Sequence, residues 1–410
     1  MDDADVIVVG AGLAGLAAAI TLQTAGLQVL LLEQADEVGG RVRTDEVDGF
    51  LLDRGFQVLL PAYPELQRLL DPAALDLRAF SRGVLVQGRD ERWDLSTAYR
   101  DKATVASLAR FAGKRPLDAL AVGAFSVRDA VVDAARLRGA TPRETGLELS
   151  RWHVSQRTTE EIFQPFLAGV FLDPDLTTSS KMFHLLWRCF VRGGAAVPAN
   201  GMRALPHALA DLLADDALRL STTVESIESG AVRTTGSASP LKARAVLVAT
   251  DGTDASGLLP SVSAPDWRGV TTWYFAAPDA PLHRPTLLLD GADGSLMNTV
   301  VMSEVAGTYA PPGRALIAAS VPNTTFNTDV ARTLLSRLYQ TSTSDWELLK
   351  EYRIPRALPR MTANHLLTTP AKVAPGRYVC GDHRDTSSIQ GALFSGRRVA
   401  TAIAQDLTRH

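Results

Sequence analysis

Cysteine is nearly absent: the 410 residues include two, Cys189 and Cys380. That argues against a disulfide framework or a cysteine metal site, and it fits a reducing compartment. The seven histidines are scattered with no H-x-x-x-H pair, so no metal site can be read. No cluster of Lys and Arg accompanies the net charge of −3, which leaves no phosphate-binding face for nucleic acid. Internal repeats and low-complexity stretches are missing too. The apolar stretch Val6–Leu22 has the length of a membrane span, but Gly10, Gly12 and Gly15 interrupt it, and no transmembrane segment is expected. The N-terminus, Met-Asp-Asp-Ala-Asp, is acidic where a secretory signal would be basic. The expected location is cytoplasmic, with peripheral membrane contact left open. The remaining composition, 46% hydrophobic and 21% charged, is that of a globular protein of about two domains.

The N-terminus carries a dense pattern. Val6-Ile7-Val8-Val9 reads as a strand buried on both faces. Gly10-Ala11-Gly12-Leu13-Ala14-Gly15 follows at once, and a helix pattern runs from Leu13 to Ala25, with Gly26 as its stop. Gln28–Leu32 makes a second apolar strand ending in Glu33. Gly10 permits a tight turn, Gly12 lets the backbone approach a pyrophosphate, and Gly15 lets helix and strand pack closely. The free N–H groups at Leu13 and Ala14, with the positive end of the helix, suit phosphate. Glu33 is placed to accept hydrogen bonds from a ribose. The whole unit predicts dinucleotide binding; the plainer reading is a glycine turn in a helix–strand unit.

The segment after Glu33 narrows the choice. Gln34-Ala35-Asp36-Glu37-Val38-Gly39-Gly40-Arg41-Val42-Arg43-Thr44 resembles the flavin amine oxidase, protoporphyrinogen oxidase and phytoene desaturase superfamily. The resemblance implies FAD, contacted by Gly39, Gly40 and Arg41, the arginine fork reaching phosphate and flavin edges. Non-covalent binding is expected, since Cys380, just before Gly381-Asp382, should point into the sheet and no covalent link is evident. A surface salt bridge is the simpler role for Arg41. In the following Asp53-Arg54-Gly55-Phe56-Gln57, the resemblance places Gly55, Phe56 and Gln57 against the isoalloxazine ring, although Phe56 serves equally as core.

Two distant regions extend the resemblance. Gly201-Met202-Arg203-Ala204-Leu205-Pro206 opens an amphipathic helix through Leu213, and Leu218–Val224 alternates like a strand. In the family the position of Val224 clasps the adenine. Ala245–Thr250 reads as a buried parallel strand returning beneath the first unit. Near the C-terminus, Tyr378–Asp382 is a strand ending in Gly381-Asp382, and Ser387-Ser388-Ile389-Gln390-Gly391-Ala392 leads into a helix reaching about residue 404. By resemblance Asp382 bonds the ribityl or pyrophosphate part of FAD, and the helix N-terminus near Ile389 and Gln390 faces the flavin N1–C2=O edge. Asp382 as an ordinary N-cap is the plainer alternative.

The implied fold is α/β: a Rossmann-like FAD-binding domain of the glutathione reductase type (1–60, 200–265 and 355–410) with an inserted α+β substrate domain (61–199 and 266–354). Helical patterns fall at Tyr63–Leu70, Leu117–Arg138 and Thr159–Leu167. Strand-like runs fall at Gly83–Gln87, Val270–Ala276, Thr286–Leu289 and Ala315–Val321, and Asp329–Leu349 reads as a helix pair. Phe163, Phe166, Phe171, Phe183, Trp187, Trp273, Tyr274 and Phe275 are candidates to line an apolar tunnel, though core is the commoner place for such residues. His184 and Cys189 read as core.

Two departures separate branches of the superfamily. No lysine lies between Lys242 and Lys350, where amine oxidases of this fold place one beside flavin N5. Ser388 stands where those enzymes carry an aromatic cage residue. The expectation is therefore a desaturase-like FAD-dependent oxidoreductase. It would move a hydride from a C–H bond of an apolar or ring-containing small molecule to flavin N5. Amine oxidation, flavin-dependent double-bond isomerisation and a non-catalytic binding protein on the same fold are the alternatives. No catalytic base is assigned; His383 and Asp385 follow the Gly-Asp pair as loop polar groups.

Overall fold

The computed structural model describes residues 3–96, 102–228, 230–322 and 326–408. Ala4–Val9 (β1), Leu13–Thr24 (α1) and Val29–Leu32 (β2) form a βαβ unit with parallel strands in register from Val6↔Val29 to Val9↔Leu32. Both strands are buried almost throughout, so neither shows polar alternation. Leu241–Val248 pairs parallel on the other side of β1, and Arg377–Val379 pairs parallel beyond it. Leu218–Arg219 extends the far edge beside β2. The result is a five-stranded parallel core drawn from three distant stretches of chain. An antiparallel ribbon, Val224–Glu228 with Ala231–Thr234, joins at the start of Leu241–Val248.

The closing helix, Ile389–Thr408, crosses over α1. Gly396 sets the approach, because a Cβ there would lie 2.1 Å from the Ala14 carbonyl oxygen. Leu393, Val399 and Ile403 are buried in the same contact. Each contributes about 1.5–3 kcal/mol of apolar burial, so this helix holds the first and last parts of the chain together.

A second, seven-stranded mixed sheet has the order Glu347–Pro359, Trp267–Ala277, Ala315–Pro322, Asn298–Val301, Leu287–Asp290, Val84–Gln87, Arg92–Asp94. Its neighbours are antiparallel except Leu287–Asp290 with Val84–Gln87. One face packs on helix Thr328–Tyr339 through Trp273, Phe275, Ile317 and Leu335. Helices between Lys102 and Gly193 form the remaining layer, with one π-type turn at Thr159–Phe163.

Four expected elements differ. The helix expected over Leu117–Arg138 breaks at Val132 and Asp133, where ψ is 138° and 139°, into Pro116–Val131 and Ala134–Arg138, the second capped by the Asp133 side chain. Asp329–Leu349 is one helix, ending at Tyr339 with Gln340 left-handed (φ 54°), followed by the start of strand Glu347–Pro359. Apolar spacing in Glu347-Leu348-Leu349 fits either period, and pairing with Phe275 and Ala276 decides for strand. Leu218–Val224 is not one strand: Ser221 has φ 51°, which turns the chain, and Val224 begins the next strand. The helix expected to reach Leu213 spans Ala204–Ala210.

Candidate functional site

A cavity of about 1450 Å³ runs between the parallel sheet and the second sheet. That exceeds the roughly 300–1,000 Å³ of a pocket for one drug-sized molecule. Of the residues singled out in the sequence, Gly10, Gly12, Leu13, Ala14, Glu33, Gly39, Gly40, Arg41, Gly55, Phe56, Gln57, Val224, Gly381, Asp382 and Ile389 all line it. Gly15 and Gln390 do not. A Cβ on Gly15 would lie 1.9 Å from the Gly10 carbonyl oxygen, so this glycine serves helix–strand packing. The Gln390 side chain turns away and accepts a hydrogen bond from Glu65 N at 3.0 Å.

At the sheet end, Gly10 has φ 101°, a left-handed turn open to glycine. The N-cap of α1 is Gly12, with no side-chain cap. A Cβ on Gly12 would meet nothing within 4 Å, so the helix N-terminus faces open cavity. The cradle therefore has room for a phosphate group against free N–H groups. Glu33 is buried; its oxygens accept from Ala11 N at 2.7 Å and Ala35 N at 2.9 Å. A carboxylate accepts about four bonds, so lone pairs remain for hydroxyl donors. Gly39 N donates to the Ala11 carbonyl at 2.9 Å, which ties the two glycine motifs together. Thr222 N donates to the Glu33 carbonyl, bringing Val224 to the same end.

Arg41 crosses the middle. Its Nη2 donates to Asp382 Oδ1 at 2.6 Å and its Nη1 to the Ala357 carbonyl at 2.9 Å, while its guanidinium lies 5.5 Å from the Trp267 ring centre. Gln57 Nε2 donates to the Arg41 carbonyl at 2.8 Å. Gly55 approaches the second sheet, where a Cβ would come within 3.0 Å of Ile354 Cδ1. Phe56 N donates to Thr272 Oγ1 at 3.3 Å. Ser388 caps the closing helix by accepting from Gly391 N at 3.0 Å, and Ile389 and Ala392 present the first turn to the cavity.

The far half is apolar. Phe163, Phe166, Phe171 and Trp187 line it, as do Met182, Leu186 and Phe190. Phe183, Trp273, Tyr274 and Phe275 do not: Phe183 and Tyr274 are buried in the main core, and Trp273 and Phe275 point to the opposite face of the sheet. Strand alternation sends neighbours to opposite faces. His184 is core, bonded to Asp129 at 2.7 Å.

Several charged groups are held nearby. Asp53, just before the Arg54-Gly55-Phe56-Gln57 stretch of the cavity wall, is buried and accepts from Thr44 Oγ1, Met202 N and Tyr309 OH. Burial outweighs these donors and pushes its carboxyl up to about 6. Tyr352 OH and Arg54 both donate to Asp45, which holds two lining side chains in place. His383 is buried with neither ring nitrogen partnered, and burial pushes it down to about 4. Burial likewise raises Cys189 to about 11 and Cys380 to about 12. Cys380 does not line the cavity.

Sequence reasoning missed Arg54, Tyr352, Ser320 and Asn298, which all line the cavity. Asn298 stands in the run Met-Asn-Thr-Val-Val; one polar amide in an apolar strand was a signal for it.

Residues 13–404 match the family model described as flavin containing amine oxidoreductase. Over 72 residues the chain is 50% identical to putrescine oxidase of Kocuria rosea, covering 18% of this chain and 15% of that protein. It is 26% identical over 194 residues to protoporphyrinogen oxidase 2 of Arabidopsis thaliana, covering 44% of this chain and 35% of that protein. These matches span well under two thirds of the curated relatives' lengths. The solved structure of cyclohexylamine oxidase from Brevibacterium oxydans IH-35A matches with TM-score 0.68 over 100% of both chains at 17% identity, a likeness of fold. Among the described residues, no helix is long and apolar enough to cross a membrane.

Proposed function

The chain belongs to the flavin-containing amine oxidoreductase family, and from that premise we propose that it binds FAD non-covalently in this cavity and dehydrogenates a small apolar or ring-containing molecule. The observation that carries the reading is one continuous cavity joining the glycine cradle to an aromatic-lined chamber. In this reading the α1 N-terminus and Gly12 hold the pyrophosphate, Glu33 the ribose, and the Val224 backbone the adenine. Arg41 and Asp382 hold the phosphate and ribityl section, and Gly55, Phe56 and Gln57 lie against the ring. Bound there, FAD would supply a hydride acceptor for a substrate C–H bond, with a proton lost to solvent from the adjacent carbon or nitrogen, so that the substrate gains C=C or C=N.

The chain's own groups then orient and exclude water. The Ile389 helix end directs N–H groups at the ring edge, where its dipole favours negative charge by about 0.3–2 kcal/mol. Phe163, Phe166 and Trp187 keep the chamber dry and fix the substrate's position. The division into FAD-binding segments (1–60, 200–265, 355–410) and substrate segments (61–199, 266–354) belongs to the same proposal, supported by the separation into two sheets.

The matches to amine oxidases raise amine oxidation as the rival. The sequence disfavours it: no lysine lies between Lys242 and Lys350, and Ser388 stands at the aromatic-cage position. The aromatic lining fits either substrate, since ring faces also hold ammonium groups. The test is anaerobic mixing of purified protein with two panels, diamines such as putrescine and partly saturated ring compounds, while following the visible flavin band. Bleaching by the ring compounds alone is expected. Bleaching by the amines alone overturns the proposed reaction.

A further inference from the structure

The cavity holds one polar feature that the reading above leaves unused. Tyr352, Thr272, Ser320 and Asn298 stand opposite one another on four successive strands, forming a row across the second sheet. Tyr352, Ser320 and Asn298 line the cavity. Phe56 N, on the segment assigned to the flavin ring, donates into this row at Thr272 Oγ1, which lies 2.8 Å from Ser320 Oγ. A backbone N–H can only donate. Thr272 and Ser320 therefore share one hydrogen bond and keep one hydroxyl proton for a further acceptor.

Asn298 closes the row. Only 2% of it is exposed, yet neither Oδ1 nor Nδ2 has a partner. A buried amide left without partners is costly, and a small turn of the side chain toward the adjoining cavity would let a ligand group satisfy it. The neighbouring helix makes room for it: a Cβ on Gly169 would lie 2.4 Å from Asn298 Nδ2. Around it the wall is apolar, with Phe166, Val170 and Leu287.

The geometry points to Asn298 as the anchor for a neutral substrate group that both accepts and donates hydrogen bonds, in the manner of an amide or lactam. Nδ2 and the spare hydroxyl proton of the Thr272–Ser320 pair bind its carbonyl oxygen, and Oδ1 takes its N–H. The substrate is then an apolar or aromatic body carrying one such group. This rests on the cavity being the flavin and substrate site.

The test compares benzamide with ethylbenzene, two probes of similar body that differ in the polar group. Each is titrated into FAD-loaded wild type and Asn298→Leu while the visible flavin band is followed. The wild type is expected to bind benzamide at least about tenfold more tightly than ethylbenzene, and Asn298→Leu to lose that preference. Leu is close in volume and removes two unpartnered polar atoms, so the melting temperature should equal or exceed that of wild type. Asn298→Ala provides the same contrast should Leu fit badly. A preference that is absent in wild type, or that survives both substitutions, overturns the inference. So does a variant that melts well below wild type and keeps the preference. A colourless protein that takes up no FAD refutes instead the underlying reading; a yellow protein with unmoved preference refutes this anchor alone.

Discussion

Arg41 and Asp382, 341 residues apart, meet at 2.6 Å in the wall of the cavity. The Arg41 side chain is 35% exposed and that of Asp382 5%. The pair therefore joins the N-terminal glycine segment to the lead-in of the closing helix. Removing the arginine strands an almost buried carboxylate. Partial exposure of Arg41 limits the expected loss in Arg41→Ala to about 1–2 kcal/mol in flavin-free protein. Urea unfolding should show Arg41→Ala with Asp382→Asn less than additive, with a coupling of about 1 kcal/mol. Full additivity would mean the contact carries no energy.

Two neighbouring glycines should fail in different ways. Gly12 is extended (φ −72°, ψ 177°) and faces open space, so Gly12→Val should fold, melt near wild type and bind little or no FAD. Gly15→Ala drives a methyl into the Gly10 carbonyl, an overpacking cost of about 1–3 kcal/mol or more. Melting curves and flavin content of both variants check this. Gly12→Val that retains full flavin would remove the cradle from the account.

His383 and Asp53 give opposite pH dependences. His383 falls from about 6.5 unfolded to about 4 folded. Its contribution is present above pH 6.5 and is lost as pH falls toward 4, by up to about 3 kcal/mol. Asp53 rises from 3.8 to about 6, so its contribution is present below pH 3.8 and is lost as pH rises through 6. The two slopes oppose each other between pH 4 and 6. Relative to wild type, His383→Leu should lose less stability on acidification, and Asp53→Asn should lose less as pH rises from 4 to 6. Unfolding free energies at pH 4, 5, 6 and 7 measure both; differences that do not vary with pH would contradict the assignment.

Thiol chemistry should be slow. Cys189 and Cys380 are buried and raised to about 11 and 12, so neither forms appreciable thiolate at pH 8. Mass spectrometry should find no carbamidomethylation of the native protein in an hour of iodoacetamide, and two additions after denaturation. Rapid native labelling of Cys380 would show an opening of the strand end that the packing does not contain.

The N-terminal unit was legible because its constraints are local. Glycines at 10, 12 and 15 and a strand buried on both faces allow few other structures. The resemblance assigned Arg41 and Asp382 each to FAD, but their direct contact was not legible, since no local rule pairs residues so far apart. The Tyr352–Thr272–Ser320–Asn298 row was invisible, because strand register across four segments is set by tertiary pairing. The aromatic candidates divided for the same reason: Phe163, Phe166, Phe171 and Trp187 reach the cavity, while sheet alternation turns Trp273 and Phe275 to the opposite face. The break at Ser221 likewise depends on a left-handed residue that composition does not announce.

The most direct measurement is the visible spectrum of the purified protein before and after acid precipitation. The account predicts flavin bands, with the chromophore released into the supernatant and identified by mass as FAD. A protein that stays colourless after incubation with FAD, or colour that remains in the pellet, would contradict it.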